Sequence, residues 1–393
     1  TLGQASSSDP LYAAIDPTDV SASNTDNDAA SISVTPVAGL VTTEAGGTAT
    51  FDVALGSQPT ADVSITVAST DATEGSVSAA SLTFTAANWN IAQTVTVTGA
   101  DDLVQDGDIA YQVTLGQASS SDPLYAAIDP TNVSVSNTDN DAASISVTPV
   151  AGLFTSESGT TASFTVVLGS QPTAGVDIAV SSSNTAEGTV SPTSVSFTPA
   201  DWNVAQTVTV TGVDDAAQDG DIVYSIVTAA ASSTDLNYAG TDPADVSVTN
   251  NDDDIAGIVV SPLAGLATGE NGSTATFNIR VASQPTADVV IPVSSTNTSE
   301  GTVSPASVTI TPANWTTSQT VTVTGVDDFV RDGAIAYSIT VGVAASSDLI
   351  YNGVDPNDVS VTNTDNDVRG VTVSPVAGLV TTEAGGTATF TVV

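Results

Sequence analysis

Carboxylates dominate the chemistry open to this chain. It carries 44 Asp and Glu against 3 Lys and Arg, with no His, no Cys and no Met. The three cations are Arg280, Arg331 and Arg369. Without His the usual general base and zinc ligand are missing. Without Cys there are no disulfides and no thiolate metal sites. Without Lys there is no Schiff base and no P-loop lysine. What remains is hard oxygen, and it comes in spaced groups: Glu44, then Asp71 with Glu74, then Asp101, Asp102, Asp106 and Asp108, then Asp139 with Asp141. Oxygen-rich groups of this kind suit Ca²⁺, which takes about 6–8 oxygen ligands, better than Mg²⁺, which keeps its waters. The plain alternative is a set of solvated loop carboxylates. Paired carboxylates can also hydrolyse glycosides, but an active site rarely recurs identically along a chain, so no enzyme is expected.

The same groups return at a fixed interval. Trp89, Trp202 and Trp315 stand 113 residues apart, as do Leu40, Leu153, Leu266 and Leu379, and Glu44, Glu157, Glu270 and Glu383. A strict internal repeat is the signature of a tandem array. The period divides the 393 residues into the end of one repeat (1–28), three whole repeats (29–141, 142–254, 255–367) and the start of another (368–393). Residues 1–28 match 114–141 except at Asp19 (Asn132) and Ala22 (Val135). Both ends fall inside strand-like runs, so the sequence is expected to be a window on a longer protein.

The elements that must carry these groups read as strands. In residues 29–141 apolar and polar residues alternate around Ile32 and Val34, Phe51 and Val53, Val63 and Ile65, Leu82 and Phe84, Val95 and Val97, Ile109 to Leu115, and Val133 and Val135. A period of two predicts strands with one buried face. Turn signals lie between them at Gly46-Gly47, Pro59, Gly75, Gly107, Pro123 and Pro130. Seven short strands in about 110 residues predict an immunoglobulin-like β-sandwich. The fold class is therefore all-β: tandem seven-stranded sandwiches, head to tail, with a 113-residue period. If successive strands reverse direction, as in an up-and-down sandwich, the loops after the first, third and fifth strands share one pole with the exit from the seventh. Every acidic group named above then falls at that pole, facing the next repeat. Without a cation such a cluster repels itself.

The stretches E-x-G-G-T-A-T-F (44–51), D-D-L-V-Q-D-G-D (101–108) and N-T-D-N-D (137–141) together resemble Calx-β domains, calcium-binding β-sandwiches of sodium–calcium exchangers, integrin subunits and large bacterial surface proteins. The resemblance covers essentially the whole repeat. It implies calcium ligands at Glu44, Asp101, Asp102, Asp106, Asp108, Asp139 and Asp141; at Glu157, Asp214, Asp215, Asp219, Asp221, Asp252 and Asp254; and at Glu270, Asp327, Asp328, Asp332, Asp365 and Asp367. Glu74, Glu187 and Glu300 join them by their place at the same pole. The third copy departs from the pattern: Ala334 stands where Asp108 and Asp221 do, and Arg331 where Gln105 and Gln218 do. A weakened or missing ion is expected there.

A net charge of −41 argues against nucleic acid and anionic lipid as partners. No segment reaches 18 consecutive apolar residues, so no membrane insertion is expected in this window. The expected function is an extracellular or cell-surface stalk, stiffened by calcium at its junctions and holding another module away from the cell. Two alternatives stay open: a filament or surface-layer protein built by lateral contact of like chains, and a carbohydrate- or protein-binding repeat. Trp89, between Asn88 and Asn90, could offer a sugar-stacking platform, but core packing is the simpler reading.

Overall fold

The computed structural model describes residues 1–393, and its regular elements are all strands. In the first whole repeat these are β1 (Ile32–Thr35), β2 (Leu40–Thr43), β3 (Thr48–Leu55), β4 (Val63–Ser69), β5 (Gly75–Val77), β6 (Ser81–Phe84), β7 (Gln93–Gly99), β8 (Ile109–Leu115) and β9 (Val133–Thr138). They form two sheets, β1-β3-β7-β5 and β2-β9-β8-β4-β6. Strand directions reverse as expected. The neighbour order does not: sequential strands cross between sheets, so the up-and-down reading is corrected to an immunoglobulin-like order.

The correction has a local cause. Two short strands that the alternation does not predict, β2 and β5, lie beside the first and fourth predicted strands, β1 and β6, and each falls in the opposite sheet from its neighbour. β1 pairs antiparallel with β3, while β2 pairs parallel with β9, Leu40 opposite Val135. β5 pairs with β7 and β6 with β4. Pro36 follows β1, and Pro192 and Pro305 sit at the fourth-strand crossing of the second and third repeats, with Ala79 in the first. Proline donates no ladder hydrogen bond, which favours release from one sheet at these points.

The repeated strands give three sandwiches, each with its own core. Phe51, Val53, Ile65, Phe84, Val95, Val97 and Val113 close the first, and the equivalent residues close the others. Each fully buried Val, Ile or Phe contributes about 1.5–3 kcal/mol. Trp89 packs against this core and its carbonyl accepts the Leu55 N–H at 3.1 Å.

At the pole opposite the acidic loops, a tyrosine locks the β8–β9 connection to the β3–β4 turn. The Tyr125 hydroxyl donates to Ser57 O (2.7 Å) and accepts Ser57 N–H (3.1 Å), and Asp122 accepts Thr60 N–H (2.7 Å). Tyr238 and Tyr351 do the same with Ser170 and Ser283.

Candidate metal centre

β2, β4, β7 and β9 all end at one pole, which places Glu44, the β4–β5 loop, the β7–β8 loop and residues 139–141 together. Two carboxylate triads result. In each of Glu44, Asp139, Asp141 and Glu74, Asp102, Asp106, three oxygens lie within 4.8 Å of one another. In the second repeat Glu157, Asp252, Asp254 and Glu187, Asp215, Asp219 reproduce them, and Glu157 also meets Asp214 and Asp253. Asp253 is not among the expected residues. Its counterparts are Asn140 and Asn366, so the copies give no warning of it.

The first triad is built on backbone. Asp139 accepts the N–H groups of Gly107 (2.8 Å) and Asp141 (2.7 Å), and Glu44 accepts that of Asn140 (3.0 Å). These bonds curl the exit strand around its own carboxylates. They recur at Asp252 with Gly220 and Asp254, at Asp365 with Gly333 and Asp367, and at Glu270 with Asn366.

The second triad rests on a buried polar layer that the sequence reading did not pick out. Asn137, 1% exposed, accepts from the Thr42 hydroxyl (2.9 Å) and donates to Glu74 (3.3 Å) and Ala100 O (3.0 Å). Thr155, Asn250 and Glu187, and Thr268, Asn363 and Glu300, repeat the arrangement. Gly99 leaves the space: a Cβ there would run into Thr43 O and Asn137 Oδ1. A signal existed, since Val133, Val135 and Asn137 alternate and put Asn137 on the inward face.

Some expected residues brace the site through the backbone. Asp108 accepts Asp139 N–H (3.2 Å), and Asp221 accepts Asp252 N–H (3.2 Å). Asp101 accepts from the Asn140 side-chain Nδ2 (3.3 Å), and Asp102 and Asp328 accept Val104 and Val330 N–H. Asp71 folds onto its own loop, where the Thr73 hydroxyl, and then Thr73 N–H (3.0 Å), donate to it and hold its pKa down. Asp327 and Asp332 lie close enough to Asp367 to raise its pKa, after burial itself.

The electrostatics are those of crowded carboxylates with no cation among them. Glu44 and Glu74 are 3% and 5% exposed. Burial, and then neighbouring aspartates, raise the pKa values of Glu44, Glu74, Asp106, Asp141, Asp219 and Asp254. Burial pushes Glu157 up to about 7, against a partly offsetting bond from Asp253 N–H. Most telling, Asp141, Asp254 and Asp367 each hold one Oδ2 that is out of solvent and has no hydrogen-bond partner. A buried carboxylate oxygen without a donor needs a proton or a metal. The donor set of clustered carboxylates fits a hard divalent cation.

No protein-family model matches the chain, and no curated protein matches it. Solved structures do. The calcium binding domain CBD12 of CALX1.1 is similar at 13% identity and a TM-score of 0.28, over 56% of this chain and 99% of that one. The apo-form Calx CBD1 domain is similar at 18% identity and a TM-score of 0.22, over 28% of this chain and 96% of that one. Domains 4–9 of the surface layer protein SbsC are similar at 17% identity and a TM-score of 0.24, over 91% of this chain and 50% of that one. The fold itself rests on the strand pairing and cores described above.

Proposed function

We propose that the chain is part of an extracellular or cell-surface rod whose junctions are stiffened by Ca²⁺. The observation that carries this is the orphaned Oδ2 of Asp141, Asp254 and Asp367, one at the exit of every sandwich. A bound Ca²⁺ supplies the missing partner, neutralises the triads and ties the loops to the exit strand. Extracellular calcium modules bind at about 10⁻⁴–10⁻³ M, and a site of this exposure and charge belongs with them. The repeat gives length, the metal gives stiffness, and no catalytic role is assigned to the carboxylates. Electron micrographs of the chain in CaCl₂ and in EDTA test the reading. Straight, uniform particles in calcium and bent, heterogeneous ones in EDTA support it; equally straight particles in EDTA overturn it.

Lateral assembly of like chains is a second reading with one observation in its favour. The edge strands β1, β2, β5 and β6 carry no charged residue. Charge is a common guard against edge-to-edge pairing, and these edges lack it. A sugar platform at Trp89 is disfavoured by its packing against the core.

A further inference from the structure

The β7–β8 loop also reaches into the following repeat. Gln105 lies between Asp102 and Asp106, and its side-chain Oε1 accepts Ala143 N–H, in the linker to the next sandwich, at 2.5 Å. Its own carbonyl accepts the Asn237 amide at 2.6 Å, and Leu103 O accepts Gln171 N–H at 2.6 Å. Asn237 and Gln171 belong to the second sandwich, at its tyrosine pole. One loop thus holds the linker and two loops of its neighbour. At the second junction Gln218 accepts Ala256 N–H (2.6 Å) and Ala216 O accepts Gln284 N–H (2.5 Å). Ile350 stands where Asn237 does, so the side-chain bond from that position is lost.

The third copy changes the residue at the centre of this arrangement. Arg331 replaces the glutamine, and the linker residue is Arg369. A guanidinium has five donors and no acceptor, so it cannot take the linker N–H.

We propose that Gln105 and Gln218 are positioning residues that clamp each β7–β8 loop to the next repeat and fix the angle between sandwiches, and that Arg331 makes the third junction a hinge. Stiffness is then graded along the array, from three inter-repeat and linker bonds to two to a junction without the glutamine clamp. The dependence of the clamp on calcium rests on the rod proposed above, because the loop that carries Gln105 also carries Asp102 and Asp106.

The absence of native cysteine allows a clean test on the full chain. Thr50→Cys with Ser163→Cys places one spin label on the exposed face of each of the first two sandwiches. Pulsed dipolar spectroscopy then reads the spread of distances across the first junction. Gln105→Ala and Gln105→Arg are expected to broaden the distribution in saturating CaCl₂, the alanine variant with the calcium titration of the chain unchanged. In the reverse direction, Arg331→Gln is expected to slow hydrogen exchange at the Arg369 amide towards that of Ala143. An unchanged distribution in both Gln105 variants overturns the clamp, whatever calcium does. A parent chain equally narrow in CaCl₂ and EDTA, but broadened by Gln105→Ala, supports the clamp and removes its calcium dependence.

Discussion

Replacing Asp141 and Asp254 by Asn is expected to change stability with opposite sign in calcium and in chelator. Each aspartate keeps its backbone bonds, since Asp139 and Asp252 accept their N–H groups independently of the side chain. What changes is the charge at a buried oxygen that has no donor. In EDTA the Asp141 carboxylate is destabilised by burial and then by Asp139, Asp101, Asp102 and Asp106. Removing that charge relieves the folded state, so a gain in stability is expected in EDTA for each substituted repeat. In saturating calcium the same change removes a charged ligand. A tenfold loss of affinity is about 1.4 kcal/mol, and a net loss of about 1–3 kcal/mol per repeat is expected. Denaturant melts of the double variant in CaCl₂ and in EDTA read both effects, with the unsubstituted third repeat as internal reference. Substitutions that shift stability in the same direction under both conditions refute the reasoning, because the orphaned oxygen then has no metal to meet.

Asn137→Ala leaves the Thr42 hydroxyl, the Ala100 carbonyl and Glu74 without their partner; a loss of about 2–5 kcal/mol is expected with or without calcium, measured by denaturant unfolding. Tyr125→Phe removes the hydroxyl shared with Ser57, with an expected cost of about 1–3 kcal/mol and, since it lies at the far pole, no change in a calcium titration. In EDTA the folded state holds protons on raised carboxylates that the unfolded chain releases, so stability is expected to fall as pH rises from the ordinary glutamate value of 4.5 to about 7, the window of Glu157. Calcium displaces those protons, so in CaCl₂ the decline is expected to vanish or reverse. Below pH 4 the sign changes: hydrogen bonds from Thr60 N–H and Leu124 N–H hold Asp122 below its ordinary 3.8, and that contribution is lost as acid protonates it. Melting temperature against pH in both buffers reads all three effects.

The sandwich was legible because each strand has one buried face. Phe51, Val53 and Leu55 lie inward and Thr48, Thr50 and Asp52 outward, a pattern that period-two alternation states directly. The acidic pole followed from strand reversal alone. What alternation cannot show is where the chain changes sheets: Leu40–Thr43 and Gly75–Val77 are too short to stand out as alternating runs, and only the three-dimensional pairing separates β1 from β2. Nor does residue type distinguish a ligand from a brace. Asp108 and Asp141 are both aspartates of the acidic pole, yet one accepts a backbone N–H and the other keeps a bare oxygen. Asn137 opens the N-T-D-N-D stretch, and a polar residue at the end of a strand looks like the start of a loop, so its buried bracing role is not visible in the sequence. The Gln105 clamp escaped because its partners, Ala143 and residues of the next repeat, carry no side-chain signature of contact.

Thermal unfolding of the full chain in excess CaCl₂, in MgCl₂ and in EDTA bears most directly on the calcium-stiffened rod. A ligand held only by the native state stabilises it by about 2.7 kcal/mol at a hundredfold excess over Kd, which for domains of this size is on the order of ten degrees. A rise of that order in CaCl₂, with little change in MgCl₂, is the expected result. Coincident melts in all three buffers contradict it, and leave the three orphaned oxygens to be satisfied by protons alone.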